Sequence, residues 1–204
     1  CVKVFFSNRP GPLTVTLNGH TQRCEAPGVA AIEWTMDSSV ASLSLSLQGS
    51  ADIYGVMVDD GPGVAVDNVA MRGCSGHQFG MINHQQLTEA YRLMAVALII
   101  LQLGGNSVPY TTNAVAAAEY AHSMAAQIEL LRRACPEATL LFLGPSDMST
   151  TVRGELASYP YLAATIAHLR DTVLAHGAAY WSIYHAMGGE GSMLVWNRTG
   201  LAEP

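Results

Sequence analysis

Residues 97–107, with the sequence ALIILQLGGNS, carry the strongest signal for the fold class of this chain. Residues 97–103 are apolar apart from one glutamine, which is typical of a strand covered by other elements on both faces. Two glycines and Asn106 follow directly, so the chain can turn sharply where the strand ends. We therefore expect a buried parallel strand with polar groups just beyond its carboxyl end.

Strands and helices alternate on both sides of this strand. Further strands are expected at residues 64–70, 139–143 and 179–183, and helices at residues 84–95, 114–134 and 161–176. In the middle helix, one apolar stripe is expected from Val115, Ala118, Ala125, Ile128 and Leu131. This alternation gives a parallel sheet with right-handed crossovers, so residues 57–204 are predicted to form an α/β domain.

The chain before residue 57 has a different pattern. Residues 13–17 and 42–47 alternate between apolar and polar side chains, which is the period of a half-buried strand. Asn18 and Gly19 predict a tight hairpin turn, and further short strands are expected at residues 2–6 and 31–36. Residues 1–56 are therefore predicted to form a small antiparallel β-domain resembling a sandwich.

Composition excludes several classes of function. The chain has 204 residues, half of them apolar and 13% charged, with a net charge of −6. No basic run is present, so binding to nucleic acid or to an anionic membrane is not expected. The longest apolar stretch is too short to span a bilayer. The sequence also lacks G-x-G-x-x-G and a lysine-containing phosphate loop, which argues against nucleotide binding.

The cysteines do not predict a metal site. Cys1, Cys24, Cys74 and Cys135 include no C-x-x-C pair and no histidine at zinc-site spacing. A structural zinc is therefore not expected, and the sequence leaves open whether any of the four forms a disulfide.

Four glycine-containing loops follow the predicted strands, at residues 72–77, 104–109, 144–148 and 184–189. In a parallel sheet these loops meet at one edge, where ligands bind. Their Asn, Asp, Ser and His side chains make a plausible rim of an active site. For each loop taken alone, the favoured interpretation is an ordinary tight strand-to-helix turn.

Two segments resemble the SGNH (GDSL-like) hydrolase family. Residues 68–73, NVAMRG, look like its second block, and residues 101–107, LQLGGNS, look like its third. In that family the glycine of block two and the asparagine of block three donate N–H groups to the oxyanion of ester hydrolysis, which implies these roles for Gly73 and Asn106. The resemblance also implies a flavodoxin-like SGNH-hydrolase sheet with helices on both faces, beside the small N-terminal antiparallel β-domain.

The other two blocks of the family are missing from this sequence. It contains neither the Gly-Asp-Ser block of the nucleophile nor the Asp-x-x-His block of the base, and Ser107 replaces an acidic residue. We expect the nucleophilic serine upstream of Cys1 and the histidine downstream of Pro204, in flanking segments of the same protein. Residues 1–56 then resemble an insert between the first and second blocks.

The resemblance also implies a strand order of 2-1-3-4-5. In that order the missing first strand would lie between residues 64–70 and residues 97–103.

The activity implied by the resemblance is that of a serine esterase. It would remove O-acetyl groups from a carbohydrate or peptidoglycan through an acyl-enzyme, on a small-molecule or polysaccharide ester. The family implies no metal or organic cofactor and an extracytoplasmic location, periplasmic or secreted. Two alternatives stay open, namely a catalytically inactive carbohydrate-binding protein of the same fold and an O-acyltransferase.

Ser75 is a further candidate nucleophile, since His77 lies close to it in a tight turn. The Gly-x-Ser-x-Gly motif of a nucleophilic serine is not met, because residue 77 is histidine. In addition, near neighbours in sequence seldom present both side chains to one point. An ordinary turn serine is therefore favoured. Cys74 is interpreted as a small buried hydrophobe rather than a reactive thiol.

The remaining candidates are weaker. His84 and His185 could line a pocket, although hydrogen-bonded structural roles are favoured. Asp147 is a candidate for substrate contact at the end of a strand, with helix capping as its alternative. Trp34 and Tyr54 could stack on sugar rings if they are exposed, whereas packing in the core is the default.

Overall fold

The computed structural model describes residues 1–9, 11–36, 40–59 and 62–202. The chain forms two compact units: unit 1 comprises Cys1–Ala70 and Asn83–Ala95, and unit 2 comprises Met71–Ile82 and Val96–Pro204. The chain thus enters unit 2 after Ala70, returns to unit 1 for one helix, and enters unit 2 again after Ala95. The domain boundary expected at residue 56 stays a prediction.

Unit 1 contains two antiparallel sheets. Its strands are β1 (Val2–Asn8), β2 (Leu13–Leu17), β3 (His20–Cys24), β4 (Val29–Trp34), β5 (Leu45–Gln48) and β6 (Ala51–Val58). The sheets have the orders β4-β1-β6 and β3-β2-β5. Asn18 and Gly19, with φ of 47° and 87°, form the turn between β2 and β3, which confirms the predicted hairpin.

Alternating side chains of both sheets form the core of unit 1. Those of β1 and β2 face each other in one apolar cluster: Val2, Val4, Phe6, Leu13, Val15 and Leu17. Trp34 is buried in the same cluster, so its proposed exposure for sugar stacking is wrong. Tyr54 on β6 is 46% exposed, and its proposed contact with sugar stays a prediction.

Helix α1 (His84–Met94) completes unit 1. Asn83 caps it by accepting a hydrogen bond from the backbone N–H of Gln86 at 3.0 Å. The helix packs against β4, where the backbone N–H of Val29 donates to Oε2 of Glu89 at 3.0 Å. This bond, together with one from the side chain of Gln85, lowers the pKa of Glu89.

Unit 2 has a three-stranded parallel sheet as its centre. Its elements are β7 (Leu98–Gln102), α2 (Ala114–Ala134), β8 (Thr139–Gly144), β9 (Ser149–Val152), β10 (Glu155–Ser158), α3 (Leu162–Ala175), β11 (Ala179–Ser182), α4 (Ile183–Met187) and α5 (Ser192–Arg198). The parallel sheet has the order β11-β8-β7, so β8 is its middle strand. Strands β9 and β10 form a separate hairpin that the sequence pattern did not predict.

The strand expected at residues 64–70 is absent from the structure, so that prediction is wrong. This segment has no regular secondary structure and pairs with no strand among the described residues. Val64, Val66 and Val69 are 86–92% exposed. In the order implied by the resemblance, its neighbour is the first strand of the family, which this sequence lacks. Without a partner for its backbone N–H and C=O groups, an apolar sequence alone does not make a strand.

Helices α2 and α3 pack against each other. The buried stripe of α2 has the three- and four-residue spacing of a helix face: Ala117, Ala121, Met124, Ile128 and Leu131. The predicted stripe is therefore correct only in its second half, because Val115 is exposed. Arg132 joins the ends of the two helices by donating from Nη1 to the carbonyl oxygens of His176 and Gly177, each at 2.9 Å.

No helix in the described part of the chain combines the length and the apolar character that crossing a bilayer requires.

Tight packing at the end of β8 yields a first testable prediction. A Cβ added to Gly144 would overlap the hydroxyl of Tyr180 and lie 2.7 Å from its Cζ. We expect Gly144→Ala to cost about 1–3 kcal/mol of unfolding free energy, as overpacking does. Gly144→Ala combined with Tyr180→Phe should recover part of this loss, since the overlapping oxygen is gone but Cζ remains. Urea denaturation of both single variants and the double variant measures this coupling, and strictly additive losses would contradict it.

Tyr180 also yields a prediction about alkaline stability. Burial raises the pKa of its phenol to about 12, while the nearby side chains of Arg170 and Ser182 act in the opposite direction. The unfolded chain loses this proton near the ordinary pKa of 10. The stabilisation that Tyr180 contributes is therefore fully present below pH 10 and is lost as the pH rises to about 12. In Tyr180→Phe this part of the alkaline loss should disappear. The free energy of unfolding of the unsubstituted chain and of Tyr180→Phe is measured at several pH values across this window. Equal slopes against pH for the two proteins would contradict the prediction.

Candidate active site

The loop before the 3-10 helix His77–Met81 is built around two glycines with positive φ. Gly73 has φ 75° in a turn closed by the N–H of Cys74, which donates to the carbonyl of Met71 at 3.1 Å. Gly76 has φ 102°, and a Cβ there would lie 2.8 Å from Sδ of Met124 and 2.9 Å from Cδ1 of Leu103. Glycine suits this point because L side chains rarely adopt a φ of 102°, and because a Cβ would press on the side chains of Met124 and Leu103.

Asn106 lies just beyond the carboxyl end of β7, in the 3-10 helix Gly105–Tyr110. Its Nδ2 donates to the carbonyl of Cys74 at 3.0 Å, which joins this helix to the glycine loop. An amide nitrogen carries two N–H groups, so one remains for another acceptor. The backbone N–H of Gly73 has no hydrogen-bond partner among the residues that the structure describes.

A cavity of about 350 Å³ lies between the loop, the 3-10 helix and the start of α2. Its walls include Gly73, Ser75, His77, Asn106, Tyr110 and Tyr120. The structure therefore brings together both residues that the resemblance assigned to oxyanion binding. Asn106 also borders a second cavity, of about 220 Å³, together with Pro145 and Ser146 from the loop after β8.

Tyr120 holds the loop from the side of α2. Its hydroxyl donates to the carbonyl of Ser75 at 2.8 Å, and its ring packs edge-on against His77 with centroids 6.0 Å apart. Burial raises the pKa of this phenol, while a hydrogen bond with Ser107 acts in the opposite direction. The hydroxyl therefore stays protonated at neutral pH and can keep donating to the loop.

Ser75 and His77 contact each other, so the expectation that their side chains would diverge is wrong. Ser75 Oγ lies 2.9 Å from His77 Nδ1. The other ring nitrogen, Nε2, lies 2.9 Å from Oγ of Ser123, and that hydroxyl donates to the carbonyl of Tyr120 at 2.6 Å. The turn at Gly76 brings positions 75 and 77 round to one side, which residue spacing alone does not reveal.

Asp147 is buried at 0% exposure, so the prediction that it contacts substrate is wrong for this structure. Its Oδ2 accepts a hydrogen bond from the backbone N–H of Met193 at 2.9 Å, in the first turn of α5. Asp147 thus caps a helix that follows it by more than forty residues, a role related to the capping alternative.

Among the other histidine and cysteine candidates, His185 and Cys74 make side-chain hydrogen bonds. His84 is the first residue of α1 in unit 1, and neither it nor His185 borders either cavity in the described ranges. His185 Nδ1 lies 2.7 Å from Oγ of Ser182, which caps α4. Cys74 is half-buried, and its thiol donates to Oε1 of Gln78 at 2.9 Å.

Sequence reasoning missed Tyr110, Tyr120 and Ser123. The latter two lie on α2, whose bounds were predicted exactly, but their contact with the loop spans more than forty residues. No local sequence pattern predicts a contact between residues so far apart in the chain. Across the described residues, no three His, Cys, Asp or Glu side chains converge as a metal ion would require.

Comparison with known proteins yields matches in structure but not in sequence. No family model and no curated protein matches the chain. A peptidoglycan O-acetylesterase matches with a TM-score of 0.79 over 99% of this chain at 20% identity. This chain spans 57% of the length of that esterase chain.

Two further structures match less well. One is the salicylyl-acyltransferase SsfX3 from a tetracycline biosynthetic pathway, with 14% identity, a TM-score of 0.33, and coverage of 96% of this chain and 70% of that one. The other is a carbohydrate esterase family 2 enzyme with a carbohydrate-binding domain from Corynascus thermopiles (Myceliophthora fergusii), with 10% identity, a TM-score of 0.34, and coverage of 89% and 80%.

The match to the O-acetylesterase identifies the fold. It agrees with the parallel sheet of unit 2 and the separate antiparallel sheets of unit 1, so the predicted α/β fold, a parallel sheet beside a small antiparallel β-domain, is confirmed.

Proposed function

We propose that this chain is part of a serine esterase of SGNH type that removes O-acetyl groups from a carbohydrate or peptidoglycan. The observation that carries the proposal is that Gly73 and Asn106 border one cavity at the carboxyl end of β7. The shared fold with a peptidoglycan O-acetylesterase supports the same reaction class and substrate.

In this proposal, Gly73 and Asn106 stabilise the tetrahedral intermediate. Attack on the ester carbonyl places negative charge on its oxygen, and rigid N–H donors stabilise that charge better than they stabilise the neutral ester. Neither donor titrates, so their contribution does not depend on pH. The hydrogen bond from Asn106 to Cys74 restrains the amide of Asn106, and the bond from the N–H of Cys74 to the carbonyl of Met71 closes the turn that contains Gly73.

The size and polarity of the cavity suit an acetylated sugar. A volume of about 350 Å³ falls in the range of small-molecule sites. The ring of Tyr110 is exposed at its wall and offers an apolar face for a pyranose ring.

The nucleophilic serine and the histidine base are proposed to lie in segments outside Cys1–Pro204. The intact mass of the native protein tests this part directly. A mass well above 21.7 kDa means that flanking segments exist and can be searched for both residues. A mass equal to that of this chain would contradict the external serine and histidine and favour a binding protein.

The reaction itself is tested by acetate release from O-acetylated peptidoglycan and from acetylated oligosaccharides. The expected result is release in water without any added acceptor. Release that requires an acceptor sugar would instead identify an acyltransferase. Binding to these polymers without any release would identify a carbohydrate-binding protein.

A further inference from the structure

The hydrogen bonds around His77 determine which of its ring nitrogens carries the proton. Ser123 has a single O–H, and it donates this to the carbonyl of Tyr120 at 2.6 Å. The Oγ of Ser123 must therefore accept from Nε2–H of His77, 2.9 Å away. A neutral imidazole has only one N–H, so Nδ1 is unprotonated and accepts the hydroxyl proton of Ser75 at 2.9 Å.

This arrangement has the three parts of an activated nucleophile. A serine hydroxyl donates to an imidazole nitrogen, and the opposite nitrogen donates to a group that fixes the ring. Here the fixing group is Ser123, which the backbone of α2 in turn orients. Edge-on packing of Tyr120 restrains the ring further.

The position of Ser75 is also restrained. Its carbonyl accepts from Tyr120, and the next residue, Gly76, has a positive φ and packs closely against the side chains of Met124 and Leu103. Ser75 is half-buried and His77 is exposed, so both remain accessible from the cavity that they border. Gly73 and Asn106 border the same cavity, and their N–H groups are the donors proposed to meet negative charge that develops there.

We propose that Ser75 is a nucleophile in its own right, activated by His77, and that it accepts an acyl group from small activated esters. This second reactive centre uses residues of this chain alone, so it does not depend on the serine and histidine expected elsewhere in the protein.

The reaction begins when Oγ of Ser75 bonds to the carbonyl carbon and its proton moves to Nδ1 of His77. The bond from that carbon to the leaving oxygen then breaks, and Nδ1 returns the proton to this oxygen. The products are acylated Ser75 and a free alcohol. Water can later attack the new ester with the same nitrogen as base, which releases the acid and restores Ser75.

The test uses p-nitrophenyl acetate with the full chain Cys1–Pro204. The expected result is a burst of nitrophenolate and one acetyl group on Ser75, located by mass spectrometry of peptides. His77→Gln should slow the labelling by at least about a hundredfold, the lower end of what a general base contributes. Ser123→Ala should slow it less, because the ring keeps its base but loses the group that orients it.

The chain offers its own matched control. Ser182 also contacts a histidine, with Oγ 2.7 Å from Nδ1 of His185, but this pair borders neither cavity in the described structure. Its hydroxyl also accepts from the backbone N–H of His185. Ser182 should therefore remain unlabelled in the same sample.

Three results would overturn the proposal, provided that circular dichroism shows a folded chain. These are no acetyl group on Ser75, labelling of Ser75 that His77→Gln leaves unchanged, and equal labelling of Ser75 and Ser182. Acetate release from peptidoglycan is a separate readout, so failure of the proposed esterase function and failure of this inference can be told apart.

Discussion

Asn106→Ala in the native protein should, under the proposed function, lower ester turnover by about a hundredfold or more, equivalent to the loss of about 2.7–4 kcal/mol of transition-state stabilisation. The physical reason is that the amide of Asn106 can donate one N–H to the oxyanion while the other holds the carbonyl of Cys74. Most of the effect should fall on kcat, since the donor is used most strongly in the transition state. Steady-state kinetics on an acetylated oligosaccharide measures it.

Asn197→Ala provides a matched control for Asn106→Ala. Asn197 is a half-buried residue of α5 that borders neither cavity in the described residues, so its loss should change turnover by less than about twofold. Thermal unfolding should show that both variants remain folded. Unchanged turnover in Asn106→Ala would remove this residue from the oxyanion site.

Phe142→Ala should reduce the free energy of unfolding by about 3–5 kcal/mol. Phe142 is 1% exposed on β8, the middle strand of the parallel sheet, and its ring stacks on Tyr180 with centroids 6.1 Å apart. Truncation removes this contact and leaves a cavity that neighbouring strands on both sides cannot readily fill. Urea denaturation measures the loss as a lower midpoint with an unchanged slope.

Leu156→Ala is the control for Phe142→Ala. Leu156 is 64% exposed on β10, so its truncation should change stability by less than about 0.5 kcal/mol. Equal losses of unfolding free energy from both substitutions would contradict the prediction that the buried ring of Phe142 stabilises the sheet of unit 2.

Local patterns were sufficient to locate most elements of the parallel sheet. The apolar run at residues 97–103 contains β7, and the helix expected at residues 114–134 is α2 residue for residue. These signals are strong because a long periodic stretch is compatible with few secondary structures other than the one predicted. The resemblance to the SGNH blocks then placed Gly73 and Asn106, which do border one cavity, although their roles stay predictions.

Interactions between distant residues account for the errors. Residues 64–70 have the composition of a strand, yet a strand exists only where another strand pairs with it. In α2, alanines lie on several faces, so the apolar pattern did not show that Val115 points outward. The contact of Ser75 with His77 depends on the turn at Gly76, whose tight fit against Met124 and Leu103 no short pattern encodes.

The double passage of the chain between its two units affects the order in which a growing chain can become ordered on the ribosome. Unit 1 needs Asn83–Ala95, so it cannot be complete until residue 95 has emerged. Once it is complete, Met71–Ile82 is a loop with both ends restrained, which reduces the conformational freedom that the site must later lose. Ser123 and Tyr120 emerge later still, and only then can His77 and the carbonyl of Ser75 find their partners. A nascent chain stalled between residues 95 and 120 should therefore hold a tethered but still unordered site loop.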